Sequence, residues 1–175
     1  MFRDIQLKSY QIEALLLDYI LKAKLQPRGH LLAFMNDRNW EFVPFQDAEL
    51  FPLAHDSRIG GMRKELLSVN KQNLCFVSIL DPEQVADVQI PVASRPIIFH
   101  LGLFAVQGDL YVTSEAPDED LLDDLRDYFP VTSASIYPIR PVSSTPTSKV
   151  PMLFISRPLI QAYQVLKKSD DQPKG

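Results

Sequence analysis

The chain has 175 residues, of which 46% are hydrophobic and 23% are charged, and its formal net charge is −4 at pH 7. This composition can build a globular core, and the acidic balance argues against a phosphate-binding surface, so nucleic acid is not expected as a partner. The single cysteine, Cys75, and the lack of both a signal-peptide pattern and an apolar run long enough to cross a bilayer predict a cytoplasmic protein with no membrane contact.

The first predicted element, residues 11–25, fits two structures. Its apolar residues fit one face of a helix that Ser9 could cap, and they also fit a β-hairpin. Four further elements are predicted in the first half of the chain: a short helix at 28–37, a strand at 42–53, a loop at 54–65 and a strand region at 66–80.

The second half is predicted to contain the same series of elements. A β-hairpin spans residues 97–113, with its turn at Gly108-Asp109. A short helix follows at 118–127, with acidic residues at its positively charged N-terminal end. The rest of the chain is predicted to form a strand at 128–139, a loop at 140–150, a strand region at 151–166 and a polar, disordered tail at 167–175.

The two series of elements match because parts of the sequence recur. Residues 42–53 and 128–139 share both prolines and the alanine, and every apolar position stays apolar, at an offset of 86. The same offset aligns residues 66–71 with residues 152–157. Two separate segments with one offset predict that an ancestral unit was copied. The second hairpin then favours a hairpin over a helix for the first segment.

The duplication sets the expected domains and fold class. Repeat 1 covers residues 1–82, repeat 2 covers residues 83–166, and the fold class is mainly β (α+β). Each repeat is expected to form a five-stranded barrel-like or curled-sheet unit with one short helix. Because units of this size bury little area alone, we expect the two to pack together about a pseudo-two-fold axis.

Residues 41–50 and 66–74 together resemble the second half of an Sm-like barrel, in which an apolar strand, a short basic turn and another apolar strand follow one another. Lys71 and Arg157 hold the basic turn position in the two repeats. Members of that family form rings that bind RNA. The resemblance therefore implies a barrel-like architecture and an oligomer with RNA at its inner rim.

The loop at residues 55–64 is a candidate anion site. Gly60 and Gly61 expose main-chain N–H groups, and three cations lie within seven residues, namely Arg58, Arg63 and Lys64. The alternative is a flexible hairpin connection without a ligand. The counterpart of this loop in repeat 2, residues 140–149, has the same length but different chemistry, which suits partner binding by two variable loops.

No other residues predict chemistry. The acidic run from Glu115 to Asp127 lacks the spacing of a calcium loop and is interpreted as a solvated helix face. Cys75 lies in an apolar string and is expected to be a buried, unreactive thiol. No catalytic residue, metal site or cofactor is predicted.

The predicted function is that of a non-catalytic binding or regulatory module. Its protein partner is unknown, the contacts are expected from residues 54–65 and 140–150, and self-association through strand edges would make it a homo-oligomer. The first alternative is a small enzyme with a site between the two repeats. The second alternative is Sm-like RNA binding through Lys71 and Arg157.

Overall fold

The structure, a computed structural model, describes residues 7–58, 60–86, 88, 93–112, 116–123 and 125–167. The chain is mainly β: ten strands form one antiparallel sheet, accompanied by two short helices. No helix within the described ranges has the length and apolar character needed to cross a membrane. The predicted disordered tail lies outside the described residues, apart from Lys167.

The elements alternate strands with short helical segments. The strands are β1 Tyr10–Leu16, β2 Tyr19–Leu25, β3 Phe42–Pro52, β4 Met62–Asn70, β5 Leu74–Ile79, β6 Ala93–Leu101, β7 Phe104–Val112, β8 Tyr128–Pro138, β9 Lys149–Ser156 and β10 Ala162–Val165. The helices are α1 Leu31–Asn36 and α2 Pro82–Val85, and 3-10 turns cover Lys71–Asn73, Asp118–Asp120 and Arg157–Leu159.

The sheet has the strand order β10-β6-β7-β8-β9-β5-β1-β2-β3-β4 and is not closed into a barrel. The predicted closure into two barrel-like units is therefore wrong. The physical reason is the pairing of β5, which bonds to β1 on one side and to β9 of the other half on the other side. Because β5 has no free side, it cannot close the first half on itself.

The five strands of each half have the same order in the chain and the same order within the sheet, whereas α1 has a 3-10 turn as its counterpart. The β2–β3 ladder shifts register between Lys22 and Lys24, and the β7–β8 ladder shifts between Gln107 and Asp109. The predicted pseudo-two-fold axis is not confirmed. Such an axis would require β4 to pair with β10 as β9 pairs with β5, and β4 and β10 are instead the two ends of the sheet.

Residues 11–25 form a hairpin, so the helical interpretation of this segment is wrong. Strands β1 and β2 pair from Tyr10 with Leu25 to Leu15 with Ile20. The helix-like spacing of apolar residues arises because β1 is buried on both faces, with Ile12 in one apolar core and Leu15 in the other.

The second hairpin is confirmed, but its predicted turn at Gly108-Asp109 is wrong. The turn lies at Gly102, which has a φ of +60°, and at the residue after it. Gly108 lies inside β7 at a register shift. A Cβ at Gly108 would lie 2.6 Å from Val131 Cγ1 and 2.8 Å from the carbonyl oxygen of Thr132. The glycine therefore permits a close approach of β8 rather than a turn.

The predicted helix at residues 118–127 is reduced to the 3-10 turn Asp118–Asp120 and a series of turns in the described part of this segment. Five of its ten residues are Asp, which is a poor helix former. The acidic face is partly paired, because Arg95 Nη1 lies 2.8 Å from Asp118 Oδ1.

Two apolar cores lie on opposite faces of the sheet. The first core is formed mainly by β1–β4 and α1, and the second core mainly by β6–β8. Strand β9 contributes to both, because alternate side chains of a strand point to opposite faces. Met152 and Phe154 pack in the first core, while Leu153 and Ile155 pack in the second. The β5–β9 pair, which we call the junction, therefore joins the halves through both cores.

Candidate functional site

A cleft of about 720 Å³ opens beside the junction, and we call it the junction cleft. Residues from both halves line it: the end of α1 with the loop into β3, the turn after β4, the start of β8, and the turn after β9. It therefore exists only because the tertiary structure brings these four segments together.

The cleft is held in shape by Asn36 and Tyr128. The Asn36 side chain donates a hydrogen bond to the Tyr128 carbonyl (2.8 Å) and accepts one from the Tyr128 N–H (2.9 Å). Its amide also contacts the Leu32 carbonyl oxygen at 3.0 Å. The side chain thus hydrogen-bonds the main chain of Tyr128 as a neighbouring strand would. This contact links α1 of the first half to β8 of the second.

The Tyr128 ring lies beneath the cleft floor. It is buried, and its hydroxyl donates to the carbonyl oxygen of Lys71 at 2.7 Å. Burial raises the pKa of Tyr128 above its ordinary value of 10.0. The hydroxyl therefore remains a hydrogen-bond donor at neutral pH.

Lys71, a predicted binding residue, lines the cleft but uses its ammonium group internally. Its Nζ donates to the carbonyl oxygens of Asp37 (2.7 Å) and Phe34 (3.3 Å), at the C-terminal end of α1. Burial lowers the pKa of Lys71, and the nearby carboxylates of Asp37 and Asp127 oppose this shift. A cation at this end of a helix satisfies carbonyl groups that have no partner within the helix.

Arg157, the other predicted turn residue, has the corresponding role in the second half. Its Nη1 contacts the carbonyl oxygens of Leu122 (3.4 Å) and Asp123 (3.2 Å). Its Nη2 lies 3.6 Å from Asp127 Oδ1. The fold thus brings Lys71 and Arg157 to the same side of the molecule, where Lys71 contacts the end of α1 and Arg157 contacts the turns that follow Asp118–Asp120.

Arg38 and Trp40 both lie on the rim of the cleft. Arg38 has an 86% exposed side chain, and its Nε lies 3.7 Å from Asp127 Oδ2. Trp40 is half-buried, and the Arg28 guanidinium lies 4.8 Å from its ring centroid. Asn36, Arg38 and Tyr128 were not predicted as site residues. No local pattern marks them, since the Asn36–Tyr128 contact spans 92 residues of chain.

The predicted anion loop lies far from the junction cleft. Arg63 and Lys64 are in β4 itself, and Arg63 Nη2 lies 3.0 Å from Glu49 Oε2 on the neighbouring strand. Lys71 follows the other end of β4, about 26 Å away at the usual rise per residue. The structure therefore separates Arg63 and Lys64 from Lys71 and Arg157.

The remaining predicted residues of that loop are exposed. Arg58, Gly60 and Gly61 all face solvent, and neither glycine has a positive φ. Gly60 has no atom within 4 Å of the position that a Cβ would take, whereas that position at Gly61 lies 3.5 Å from the Leu50 carbonyl oxygen. The loop is thus open to a partner, but the glycines do not form the left-handed nest typical of anion sites.

The counterpart loop at residues 140–150 is docked onto the first half. The Thr147 N–H donates to the Glu13 carboxylate, and the Ser143 N–H donates to the Leu53 carbonyl oxygen at 2.9 Å. Glu13 is buried, so this hydrogen bond compensates a charge removed from water. The two loops that were predicted to bind partners therefore differ: the first is exposed, and the second holds the halves together.

Metal and thiol chemistry find little support in the described residues. Within them, no group of three or more His, Cys, Asp or Glu side chains is placed to hold a metal ion. Cys75 is buried, as predicted. Burial raises the pKa of the Cys75 thiol to about 11, so it is protonated at neutral pH.

The chain was compared with protein families, curated proteins and solved structures. No family model, no curated protein and no solved structure matches it.

Proposed function

We propose that the chain is a non-catalytic binding module and that its partner surface is the junction cleft. The observation that carries this proposal is that the cleft combines a floor of residues held by hydrogen bonds with an open rim. Asn36, Lys71 and Tyr128 are engaged with main-chain groups, whereas the Arg38 side chain is exposed and Trp40 is half-buried at the rim. Arg and Trp side chains are enriched where proteins bind other proteins.

The proposed partner is a peptide segment of another protein. The rim carries charges of both signs, with the Arg38 cation beside Asp127 and the carboxylates of Asp37 and Glu41 nearby. Such a surface complements a chain that carries both charges, and Trp40 offers it an aromatic face. A preformed cleft also lowers the ordering cost of binding.

The test is a selection of random phage-displayed peptides on the full chain. Selected peptides are expected to bind the wild type and to lose at least about tenfold in affinity with Arg38→Ala and Trp40→Ala, the effect of hot-spot side chains. Arg63→Ala is the matched control, because its side chain is 80% exposed but lies at the far end of β4. Loss of binding in the control alone would place the partner at the exposed loop and contradict the proposal.

Sm-like RNA binding is the second candidate, and Lys71 and Arg157 remain its predicted residues. Support comes from their positions, since each begins a 3-10 turn between two strands. Replacing either by Glu would also remove a contact to helix carbonyls, so Arg38→Glu is the cleaner variant. A labelled single-stranded RNA that binds the wild type and is released by Arg38→Glu or by added salt would favour this candidate.

A small enzyme with its site in the same cleft is the remaining alternative. The lowered pKa of Lys71 is the feature that favours it. Lys71→Arg keeps the charge and removes a titratable amine. A turnover that survives this substitution would exclude Lys71 as its base.

We also propose that the chain arose by tandem duplication, with units at residues 1–82 and 83–166. Support comes from the equal strand order and from the register shifts of the two halves. Asp47 and Ser133, which are 86 positions apart, also share a positive φ of 49° and 50°. A separately expressed unit that folds would support this proposal. A unit that depends on strand pairing with the other half would instead aggregate when expressed alone.

A further inference from the structure

The two ends of the sheet are open edges. Within the described ranges, β4 pairs only with β3, and β10 pairs only with β6. An edge strand presents unpaired N–H and C=O groups, which are a template for another strand. Strand β4 is nine residues long, so this edge is a long one.

The junction inside the molecule shows which strands such edges can accept. At the junction β9 pairs with β5, in an antiparallel register that runs from Phe76 with Ile155 to Ile79 with Met152. Strand β4 is the fourth strand of its half, as β9 is of the other, and β10 is the fifth, as β5 is. The edges β4 and β10 are therefore counterparts of two strands that already pair with each other.

Exposed apolar side chains lie on or next to the β4 edge and also beside the interior strand β8. Among the described residues, six large hydrophobic side chains are exposed, and four of them are Phe42 (50%), Leu66 (62%), Tyr137 (49%) and Ile139 (52%). Phe42 and Leu66 lie on β3 and β4, while Tyr137 and Ile139 lie at the end of β8.

The positions 86 residues away from these four are less exposed. Tyr128 (4% exposed) and Met152 (0%) pack in the first core, and Leu53 (5%) packs in the second core. Phe51 is half-buried against the second core. Phe42 and Leu66 near the β4 edge are thus exposed, whereas their counterparts Tyr128 and Met152 are buried where the two halves meet.

We propose that the chain assembles head to tail, with β4 of one copy pairing antiparallel with β10 of the next. The junction register, carried over by 86 positions, pairs Val69 with Ala162 and Leu66 with Val165 across the two copies. The interface is heterologous, so assembly continues until the ends meet in a ring or grows as an open chain. This inference does not depend on the binding proposed for the junction cleft.

The side chains of β4 agree with this register. The four residues that would pair, Leu66 to Val69, carry no charge, whereas Arg63, Lys64 and Glu65 lie before them. Charges on an edge strand restrict further pairing. The segment that is open to a second copy is thus limited to the length that the junction uses.

The β10 edge offers free amides at defined positions. The Leu166 N–H donates to the Pro96 carbonyl oxygen, and in an antiparallel pair the amides alternate between the two sides of a strand. The amides of Tyr163 and Val165 therefore face the open edge. Val165→Pro removes an outward N–H group and leaves the pairing with β6 intact.

The test uses the full chain at tens of micromolar, with light scattering after gel filtration and native mass spectrometry. The wild type is expected to show multiples of the 19.9 kDa chain. Leu66→Glu and Val165→Pro are each expected to be monomers. Leu17→Glu is the matched control, because Leu17 is 54% exposed but lies in the β1–β2 turn, and it should assemble as the wild type does.

Mixing the two edge variants makes the test specific to head-to-tail pairing. Leu66→Glu retains a competent β10 edge and Val165→Pro retains a competent β4 edge, so an equal mixture should form dimers and nothing larger. A monomeric wild type, a mixture that stays monomeric, or assembly abolished by Leu66→Glu but not by Val165→Pro would each overturn the proposal. The last outcome would indicate pairing of β4 with β4.

Discussion

Asn36 and Tyr128 lie in different halves of the chain, 92 residues apart in sequence, and exchange two hydrogen bonds. A side-chain amide here satisfies both main-chain groups of the first residue of β8. Because Asn36 ends α1, this contact fixes the helix to the opposite half and sets the width of the junction cleft.

We predict that Asn36→Ala destabilises the fold by about 1–3 kcal/mol, because it leaves the N–H and C=O groups of Tyr128 without partners. The measurement is the free energy of unfolding from urea denaturation. Asn39→Ala is the control, since the Asn39 side chain is exposed and contacts only Asp37. Equal stabilities of the two variants would contradict the role assigned to Asn36.

The Tyr128 hydroxyl gives a second, smaller prediction. Tyr128→Phe removes the donor to the Lys71 carbonyl oxygen and should cost about 1 kcal/mol, the usual net contribution of one hydrogen bond. Tyr137→Phe, on an exposed ring, should leave the free energy of unfolding unchanged. A Tyr128→Phe variant as stable as the wild type would show that water replaces this contact without loss.

Gly108 should not tolerate a side chain. Gly108→Ala places a Cβ against Val131 and Thr132, and overpacking of this kind costs about 1–3 kcal/mol. Gly60→Ala meets no atom within 4 Å and should be neutral or slightly stabilising. Thermal or urea unfolding compares the two variants. If Gly108→Ala were neutral, residue 108 would have to be a turn residue, as the sequence predicts, rather than a site of close approach.

Cys75 makes stability depend on alkaline pH. Its pKa is raised from 9.0 to about 11 in the folded chain, so the folded chain keeps a proton that the unfolded chain loses between these values. The stability from this shift is fully present below pH 9 and is lost as pH rises through about 11. Between pH 9 and pH values above about 11, the free energy of unfolding of the wild type should therefore fall by about 2–3 kcal/mol more than that of Cys75→Ala.

The measurement for Cys75 is urea denaturation with a reductant present, at a series of pH values across this range. Because lysines and tyrosines titrate in both proteins, only the difference between them reports on the thiol. Parallel pH profiles for the wild type and Cys75→Ala would contradict the predicted contribution.

The sequence by itself determined the kind and order of most elements. Strands at 42–53 and 128–139 were predicted to within one residue of β3 and β8, because alternation of apolar residues and the positions of turns are properties of neighbouring residues. The equal series of strands in the two halves followed from the shared offset. The helix at 28–37 was placed correctly and proved shorter, as α1 Leu31–Asn36.

Only the tertiary structure decided how these elements pair. The β5–β9 pair brings Phe76 next to Ile155, and no local pattern specifies a contact over that distance. It opens the sheet and creates the junction cleft. The separate β7–β8 pairing makes Gly108 a point of close approach. Lys71 begins a 3-10 turn within the predicted strand region 66–80, and its ammonium group contacts the Phe34 and Asp37 carbonyl oxygens at the end of α1. These cases have one reason in common. The main-chain N–H and C=O groups at sheet edges and helix ends bond to residues that are distant in sequence, and only folding brings those residues near.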